Sequence, residues 1–317
     1  MSRAHFGRIL CATDFSELSA RALEHAAALA RWSGARLAVV HVVAPADFRL
    51  IGAGKLDAGE RTRRLEEMRR FVEPATAALA PRLALREGEA AAEIAAESLL
   101  WGADLLVVGT HGRRGLEHWE VGSVAEAAIR LSPCPVLTVP RAAASPDRTG
   151  QAPFRRLLCA VDLGATSGTT LEYALSLALR AGAQVAVVHS MEEIPADRRR
   201  MELRLGAPWF AAYRETVERQ ARERLRELLP DEVRAACGVD EVVVPGKARL
   251  QVVRLAREKQ ADLVIMGAGG ASVLPFGSTM TGVVRNAPCP VLTVPPRSAV
   301  RSAGLVRGAS AVVQPAH

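Results

Sequence analysis

The octapeptide Pro-Cys-Pro-Val-Leu-Thr-Val-Pro occurs twice in this chain, at Pro133–Pro140 and again at Pro288–Pro295. A second pair of similar segments lies at the start of each half. The segment Arg8–Asp14 (RILCATD) is repeated 148 residues later, with two substitutions, as Arg156–Asp162 (RLLCAVD). A repeat of this length is a domain duplication, because the repeats of solenoid proteins are only about 20–50 residues long. The sequence therefore predicts two copies of one fold within a chain of 317 residues.

Each half alternates short β-branched or leucine-rich runs with longer stretches of helical period, which is typical of βαβ units on a parallel sheet. In the first half the pattern predicts strands near 8–13, 36–43, 82–86, 104–109 and 136–139 and helices near 16–32, 57–80, 89–101 and 122–131. In the second half it predicts strands at 156–161, 184–189, 240–244, 262–267 and 291–294. We therefore expect an α/β protein made of two tandem, doubly wound, five-stranded parallel-sheet domains.

The predicted domain boundaries follow the repeat. The first domain spans residues 1–140 and the second spans residues 154–296. Between them, residues 141–153 are rich in Ala, Ser, Pro and Gly, which indicates a linker. Residues 297–317 have no apolar period and are expected to form a flexible tail.

Composition and charge exclude several classes of function. The net charge is +7, but Arg alternates with Glu along Glu60–Arg70 and Tyr213–Glu227, which indicates solvated helix faces and disfavours nucleic acid as a partner. The chain has no N-terminal signal-like apolar segment and no apolar run of membrane-spanning length, so we expect a cytoplasmic protein without membrane contact. Its five cysteines lack CxxC spacing and suit small buried residues, so we expect no metal site.

The loop after the fourth strand carries the strongest functional signal. Open parallel sheets bind ligands at the carboxyl ends of their strands. There the chain reads G-x2-G-x9-G-S from Gly109 to Ser123, ending at a predicted helix start, and His111, Arg113 and Arg114 add positive charge. Glycines let backbone N–H groups approach an anion, and a helix N-terminus supplies more donors and a favourable dipole. The loop therefore predicts a phosphate site that needs no Walker lysine.

Several of these residues also have a purely structural interpretation. Ser123 with Glu126 three residues on matches a capping box, and Asp14 after the first strand matches a helix N-cap. The Asp14 carboxylate also lies at the expected cleft, where it could accept a hydrogen bond from a base or a sugar. His41 and His189 lie in apolar strands and are interpreted as core histidines whose hydrogen bonds are satisfied.

With these motifs in place, both halves resemble the universal stress protein family, and the chain resembles a tandem universal stress protein. The resemblance rests on CATDFS at Cys11–Ser16, on VVHV ending at Val42, on Gly109–Ser123, and on the repeated octapeptide. It implies a Rossmann-like, adenine nucleotide alpha-hydrolase-like fold. It also implies that Val136–Val139 and Val291–Val294 pair edge to edge, so that the two domains form an intramolecular pseudo-dimer.

The resemblance further implies a nucleotide-dependent stress-response sensor that binds ATP, with or without Mg²⁺, mainly in its first domain. Carried over by position, the residues around the nucleotide would be Ala12, Thr13, Asp14, Val42, Val108, Gly109, Gly112, Gly122, Ser123 and Val124. We expect no catalytic residues, because the chain has no Walker A lysine, GxSxG elbow or HExxH motif. A slow Mg-dependent ATPase and a nucleotide-independent interaction scaffold remain alternatives.

The second half departs from the motif. Between Gly267 and Ser278 the x9 segment has shrunk to x6 and contains no His or Arg, and Val161 replaces Thr13. We therefore expect only a weaker site there, formed by Asp162, Gly267, Gly270, Gly277 and Ser278. The partners expected besides ATP are an unidentified protein, held by the insertions 44–64 and 190–213, and a second tandem chain in a homodimer.

Overall fold

The computed structural model of the chain describes residues 6–44, 56–110, 122–147, 149–191, 207–229, 234, 238–269 and 278–296. These described residues fall into two compact units. The first unit contains the described residues between 6 and 153 together with residues 289–296, and the second contains the described residues between 154 and 288. The last strand of the second half therefore belongs to the first unit.

Strands and helices alternate along the whole chain. The elements that begin in the first half are β1 (Arg8–Thr13), α1 (Glu17–Ser33), β2 (Arg36–Val43), α2 (Ala58–Val72), β3 (Arg82–Glu87), α3 (Ala90–Trp101), β4 (Leu105–Gly109), α4 (Ser123–Leu131) and β5 (Val136–Val139). Those of the second half are β6 (Arg156–Val161), α5 (Ser167–Ala181), β7 (Gln184–Met191), α6 (Ala207–Leu228), β8 (Val239–Pro245), α7 (Ala248–Glu258), β9 (Leu263–Gly267), α8 (Ser278–Asn286) and β10 (Val291–Val294).

In the first unit, five strands pair in parallel in the order β3-β2-β1-β4-β5. The chain winds outward in both directions from β1 and β4, so the carboxyl ends of these two strands form the switch point where open α/β sheets bind ligands. Strand β10 then pairs antiparallel with β5. Thr138 Oγ1 donates to the Val291 carbonyl and Thr293 Oγ1 to the Val136 carbonyl, each at 3.2 Å. The two octapeptide strands thus pair with each other, as the resemblance implied.

The second unit has four parallel strands in the order β9-β6-β7-β8. Its core lies along β6 and β9, where Leu158, Val264 and Ile265 are fully buried. Helix α5 covers these strands with Leu171 and Leu177, which are almost fully buried as well. The predicted α/β class with a parallel-dominated sheet is confirmed in both units.

The helix ends follow from local chemistry. Gly34, Gly102 and Gly182 end α1, α3 and α5 in the left-handed region, with φ of 70°, 65° and 62°, as expected for glycine C-caps. The helix predicted at 57–80 is too long, because α2 ends at Val72. Pro74 follows within two residues and cannot continue a helix, since it has no N–H and its ring clashes with the preceding turn.

The amino ends of β1, β2 and β3 carry a cluster of arginines around one indole. The guanidinium groups of Arg8, Arg36 and Arg82 lie 5.7, 4.9 and 5.1 Å from the ring centroid of Trp101. Behind this ring, Glu97 is fully buried and forms ion pairs with Arg82 and Arg86. We name these six residues the arginine–tryptophan cluster. It fixes α3 against the sheet at the edge opposite the switch point.

Of the helices that the structure describes, none is long and apolar enough to cross a membrane.

Candidate functional site

The turn between β1 and α1 is held by its own side chains. Thr13 is buried, and its Oγ1 lies 3.0 Å from Ser19 Oγ and accepts a hydrogen bond from the Phe15 N–H at 3.0 Å. Asp14 Oδ1 accepts from the Ser16 N–H at 3.0 Å. The N-cap of α1 is Ser16, whose hydroxyl accepts from the Ser19 N–H. The interpretation of Asp14 as the N-cap is therefore wrong, because the helix begins two residues later.

Next to this turn, His41 is a core histidine. It is buried, and its Nδ1 lies 2.8 Å from the Thr13 carbonyl oxygen. A carbonyl only accepts hydrogen bonds, so Nδ1 carries the hydrogen. The ring of Phe15 packs against the imidazole with centroids 4.3 Å apart, and Phe71 meets Phe15 edge-on at 5.4 Å. The sequence-based interpretation of His41 is confirmed. Its role is to fix the carboxyl end of β1.

On the other side of the switch point, α4 begins close to the end of β4. The Gly122 N–H donates to the Thr110 carbonyl at 2.7 Å, which joins the two ends of the loop. The N-cap is Gly122, which has no side chain to cap the helix, and no capping side chain is found among the described residues. The capping-box interpretation of Ser123 is therefore wrong, since this residue already lies inside the helix. The first-turn N–H groups of α4 have no intrahelical acceptors, so they can donate to an anion.

The structure places most of the residues predicted for the first site at one edge of the sheet. Strands β1 and β4 pair directly, with Cys11 opposite Val107, so their carboxyl ends lie side by side. The predicted residues found at these strand ends, at the adjoining end of β2 or at the start of α4 are Ala12, Thr13, Asp14, Val42, Val108, Gly109, Gly122, Ser123 and Val124. His111, Gly112 and Arg113 lie outside the described residues. A ligand role for any of them stays a prediction.

In the second unit, the equivalent turn has a different hydrogen-bond arrangement. Asp162 Oδ1 accepts from the Gly164 N–H at 2.9 Å and from the Ser167 hydroxyl at 2.7 Å. Thr166 Oγ1 donates to the Gly269 carbonyl at 2.7 Å and ties this turn to the segment after β9.

Two more of the weaker-site residues fall within the described part of the second unit. A Cβ added at Gly267 would lie 2.9 Å from Thr170 Oγ1, so α5 requires a glycine there. Ser278 is the first residue of α8. Gly270 and Gly277 lie outside the described residues, so their role in the weaker site stays a prediction.

A cavity of about 1030 Å³ opens at the carboxyl ends of β6, β7 and β9. Its lining includes the predicted residues Asp162, Gly267 and Ser278. It also includes residues that sequence reasoning missed, namely His189 on β7 and the α6 residues Val217, Gln220, Ala221, Glu223, Arg224 and Glu227. The sequence predicted a solvated helix face along Tyr213–Glu227, which lies in α6, but such a face gives no sign of which cleft it borders.

The described cysteines are structural. Cys11, Cys134, Cys159 and Cys289 are all buried thiols. Burial raises the pKa of the Cys11 and Cys159 thiols to about 12. These two thiols stay protonated at neutral pH and are poor nucleophiles and poor metal ligands. Within the described ranges, no three His, Cys, Asp or Glu side chains lie together as a metal site would require.

The fold and the switch-point geometry define a tandem α/β protein with one candidate strand-to-helix site per half. Comparison with known proteins gives the family. The sequence model of the universal stress protein family matches residues 5–140 and again residues 153–295. The chain therefore belongs to the universal stress protein family, with two copies of its domain.

Individual relatives agree with this assignment. A universal stress protein of Thermus aquaticus is 33% identical over 148 residues, which cover 44% of this chain and 98% of that protein. The Bacillus subtilis universal stress protein YxiE is 33% identical over 146 residues, which cover 42% of this chain and 99% of that protein. A crystal structure of a universal stress protein from Archaeoglobus fulgidus has a TM-score of 0.59 at 20% identity and covers 91% of this chain and 98% of that chain. This last likeness concerns the fold alone.

Proposed function

We propose that this protein is an ATP-binding universal stress protein in which the first domain holds the nucleotide, and that it acts as a nucleotide-dependent regulator of a stress response. The observation that carries the proposal is the position of the amino end of α4, where the N-cap Gly122 has no side chain, beside the carboxyl end of β4. Backbone N–H donors in this position suit a phosphate chain, and the helix dipole adds to the attraction.

The opposite side of the proposed site suits adenosine. Ala12, Val42 and Val108 end three neighbouring strands and offer an apolar wall for a base. Asp14 Oδ1 accepts a backbone hydrogen bond from Ser16, and the position of this residue directly after β1 suits a carboxylate that accepts from a sugar hydroxyl or a base amino group. The proposed ligand would thus lie across the switch point, with its base near β1 and β2 and its phosphates at α4.

The proposal is tested by the nucleotide content and the melting behaviour of the full chain. The purified protein is acid-denatured, and the released small molecules are identified by chromatography and mass spectrometry. We expect ATP in the supernatant. At about a hundredfold excess over its dissociation constant, added ATP is expected to stabilise the protein by roughly 2.7 kcal/mol.

The variant Gly122→Ala distinguishes loss of ATP binding from a general loss of stability. Gly168→Ala is its matched control. Gly168 lies in the first turn of α5, and a Cβ added there meets nothing within 4 Å. We expect Gly122→Ala to abolish the ATP-dependent rise in melting temperature and Gly168→Ala to keep it. An absence of bound nucleotide together with unchanged melting in ATP would contradict the proposal and favour the scaffold. Release of inorganic phosphate that depends on Mg²⁺ would instead indicate the slow ATPase.

A further inference from the structure

Helices α3 and α4 of the first unit expose an apolar surface. The two helices pack against each other, and Leu99, Leu100 and Leu131 are 42%, 73% and 51% exposed. On α3, the exposed Ala92 and Ala96 lie three or four residues from the next of these apolar positions, so they share one side of the helix with Leu99 and Leu100. We name these five residues the leucine face. A contiguous exposed apolar surface commonly marks an interface.

The corresponding face of the second unit is polar. Arg257, Glu258 and Asn286 occupy the positions of the three leucines. Their polar groups bond within that face, because Arg257 Nη2 donates to the Asn286 carbonyl at 3.3 Å and Arg254 Nη1 donates to Glu258 at 2.7 Å. Of the two equivalent faces, it is thus the one in the first unit that is apolar. A contact between two identical faces uses both of them, so it forms a closed dimer and not an open fibre.

The two ends of α3 carry opposite charge. Glu89 and Glu93 lie at its amino end. At its carboxyl end, Trp101 is surrounded by three exposed guanidinium groups of the arginine–tryptophan cluster. Helix α4 repeats this order, with Glu126 in its first turn and Arg130 in its last turn. The leucine face therefore has an acidic border on one side and a basic border on the other.

The basic border keeps positive charge that is not compensated within the described residues. Two carboxylates contact it, against the four arginines of the cluster. Glu97 is fully buried and pairs with two of these arginines, while Asp104 Oδ2 accepts two backbone N–H bonds at 3.0 and 2.9 Å. The Arg36 guanidinium contacts the ring of Trp101 and has no carboxylate partner in the part of the chain that the structure describes. Arg36 can therefore pair with a carboxylate of another molecule.

We propose that two copies of this chain associate through their leucine faces, with the two α3 helices antiparallel about a twofold axis. In this arrangement the acidic border of each copy meets the basic border of the other, which favours the pairing. Leu99 and Leu100 of one copy also meet Ala92 and Ala96 of the other, and large side chains set against small ones allow close packing. A parallel arrangement would place leucine against leucine and like charge against like charge.

The first test is sedimentation velocity on the full chain. Leu100→Glu places a carboxylate in the leucine face, opposite the acidic border of the other copy. Its matched control is Leu250→Glu, because Leu250 is 57% exposed on α7, the corresponding helix of the second unit. We expect the unmodified chain to form a dimer that dissociates on dilution, Leu100→Glu to weaken this association at least about tenfold and Leu250→Glu to leave it within about twofold.

Two results of this experiment contradict the proposal. An unmodified chain that stays monomeric up to about 100 μM, where even a weak contact is populated, overturns it and leaves the leucine face to a different protein. Equal association of Leu100→Glu and Leu250→Glu also overturns it, because the contact then lies on another surface.

The second test addresses the antiparallel arrangement through charge. Glu93→Arg and Arg36→Glu each set like charges against each other at both borders of a dimer, so each variant alone is expected to associate at least about tenfold more weakly. In an equal mixture of the two variants, the reversed charges face each other at one border and the original pair remains at the other. We therefore expect the mixed dimer, detected by a fluorescent label on one variant, to associate within about threefold of the unmodified chain. Circular dichroism checks the folding of each variant. A mixture that associates no more tightly than the single variants overturns the arrangement.

Discussion

The two halves share a turn after their first strand but use its serine differently. In both, the aspartate that follows the strand accepts a hydrogen bond from the N–H two residues on. In the first half, the hydroxyl of Ser19 meets the hydroxyl of Thr13. In the second half valine replaces this threonine, and the equivalent Ser167 donates to Asp162 instead. A single change of residue type in a strand therefore accompanies a change of partner, because the serine hydroxyl contacts the strand's threonine in the first half and the aspartate in the second.

The opposite edge of the sheet shows a larger difference between the halves. The arginine–tryptophan cluster surrounds a buried carboxylate in the first unit. At the equivalent positions the second unit has Asp240 for Arg82, Leu255 for Glu97 and Lys259 for Trp101. Lys259 and Asp240 form one exposed ion pair at 2.6 Å. At this position the first unit buries a charged carboxylate that is paired with arginines, whereas the second unit buries the apolar side chain of Leu255.

The largest effect is expected from breaking this cluster. Glu97→Gln removes the charge that pairs with Arg82 and Arg86 while keeping the size of the side chain. Loss of one partner of a buried ion pair costs about 3 kcal/mol in unfolding free energy. Urea unfolding followed by far-ultraviolet circular dichroism measures the loss.

The control for this change is Glu66→Gln, which breaks an exposed pair with Arg69. An exposed pair contributes only about 0.5 kcal/mol. If the two variants unfold at the same urea concentration, the buried ion pairs of Glu97 do not stabilise the first unit. The replacement of Glu97 by Leu255 at the equivalent position would then make no difference to stability.

A second contrast concerns the helix that follows the first strand. Burial lowers the pKa of His25 in α1 to about 4, and the nearby charge of Arg21 lowers it further, whereas a hydrogen bond to the Ala144 backbone opposes the shift. The equivalent residue of the second half is Tyr173, which does not titrate near neutral pH. Protonation of His25 at low pH should therefore destabilise the packing of α1, and α5 has no equivalent titratable group.

The sign of this effect follows from linkage. An unfolded histidine titrates near pH 6.5 and the folded one near 4, so the unfolded state binds more protons between these values. We expect His25 to lower the unfolding free energy by roughly 3 kcal/mol as the pH falls from 7 to 4. The measurement compares urea midpoints across this range in the unmodified chain and in His25→Phe. A variant that loses stability as steeply as the unmodified chain would show that other groups are responsible.

The fold could be predicted from the sequence because its signals are local and repeated. Alternating apolar runs and glycine C-caps such as Gly34 mark the ends of strands and helices without reference to distant residues. The pairing of the two octapeptide strands was also predicted, because the family resemblance implied it. The end of α2 at Val72 was the main error, since the helical period of the sequence continues beyond Pro74.

The candidate sites were less predictable because they depend on geometry between elements. Sequence could not decide between Ser16 and Asp14 as the N-cap, since both residue types cap helices and lie two residues apart. It also gave no sign that His189 would face a cavity while His41 is covered by Phe15. Those outcomes depend on which side chains a neighbouring helix brings to the strand ends.

The smallest expected effect tests the turn itself. Thr13→Val gives the first half the residue of the second half. It removes the acceptor of the Phe15 N–H and one partner of the Ser19 hydroxyl, which also donates to the Ser16 carbonyl. Valine keeps the shape of threonine, so the change isolates the hydrogen bonds. Leaving a part-buried N–H without a partner costs about 1–2 kcal/mol in unfolding free energy. Thr62→Val, at an exposed position of α2, is the control and should cost less than about 0.5 kcal/mol. A cost for Thr13→Val no larger than that of the control would show that the hydrogen bonds of Thr13 do not stabilise this turn.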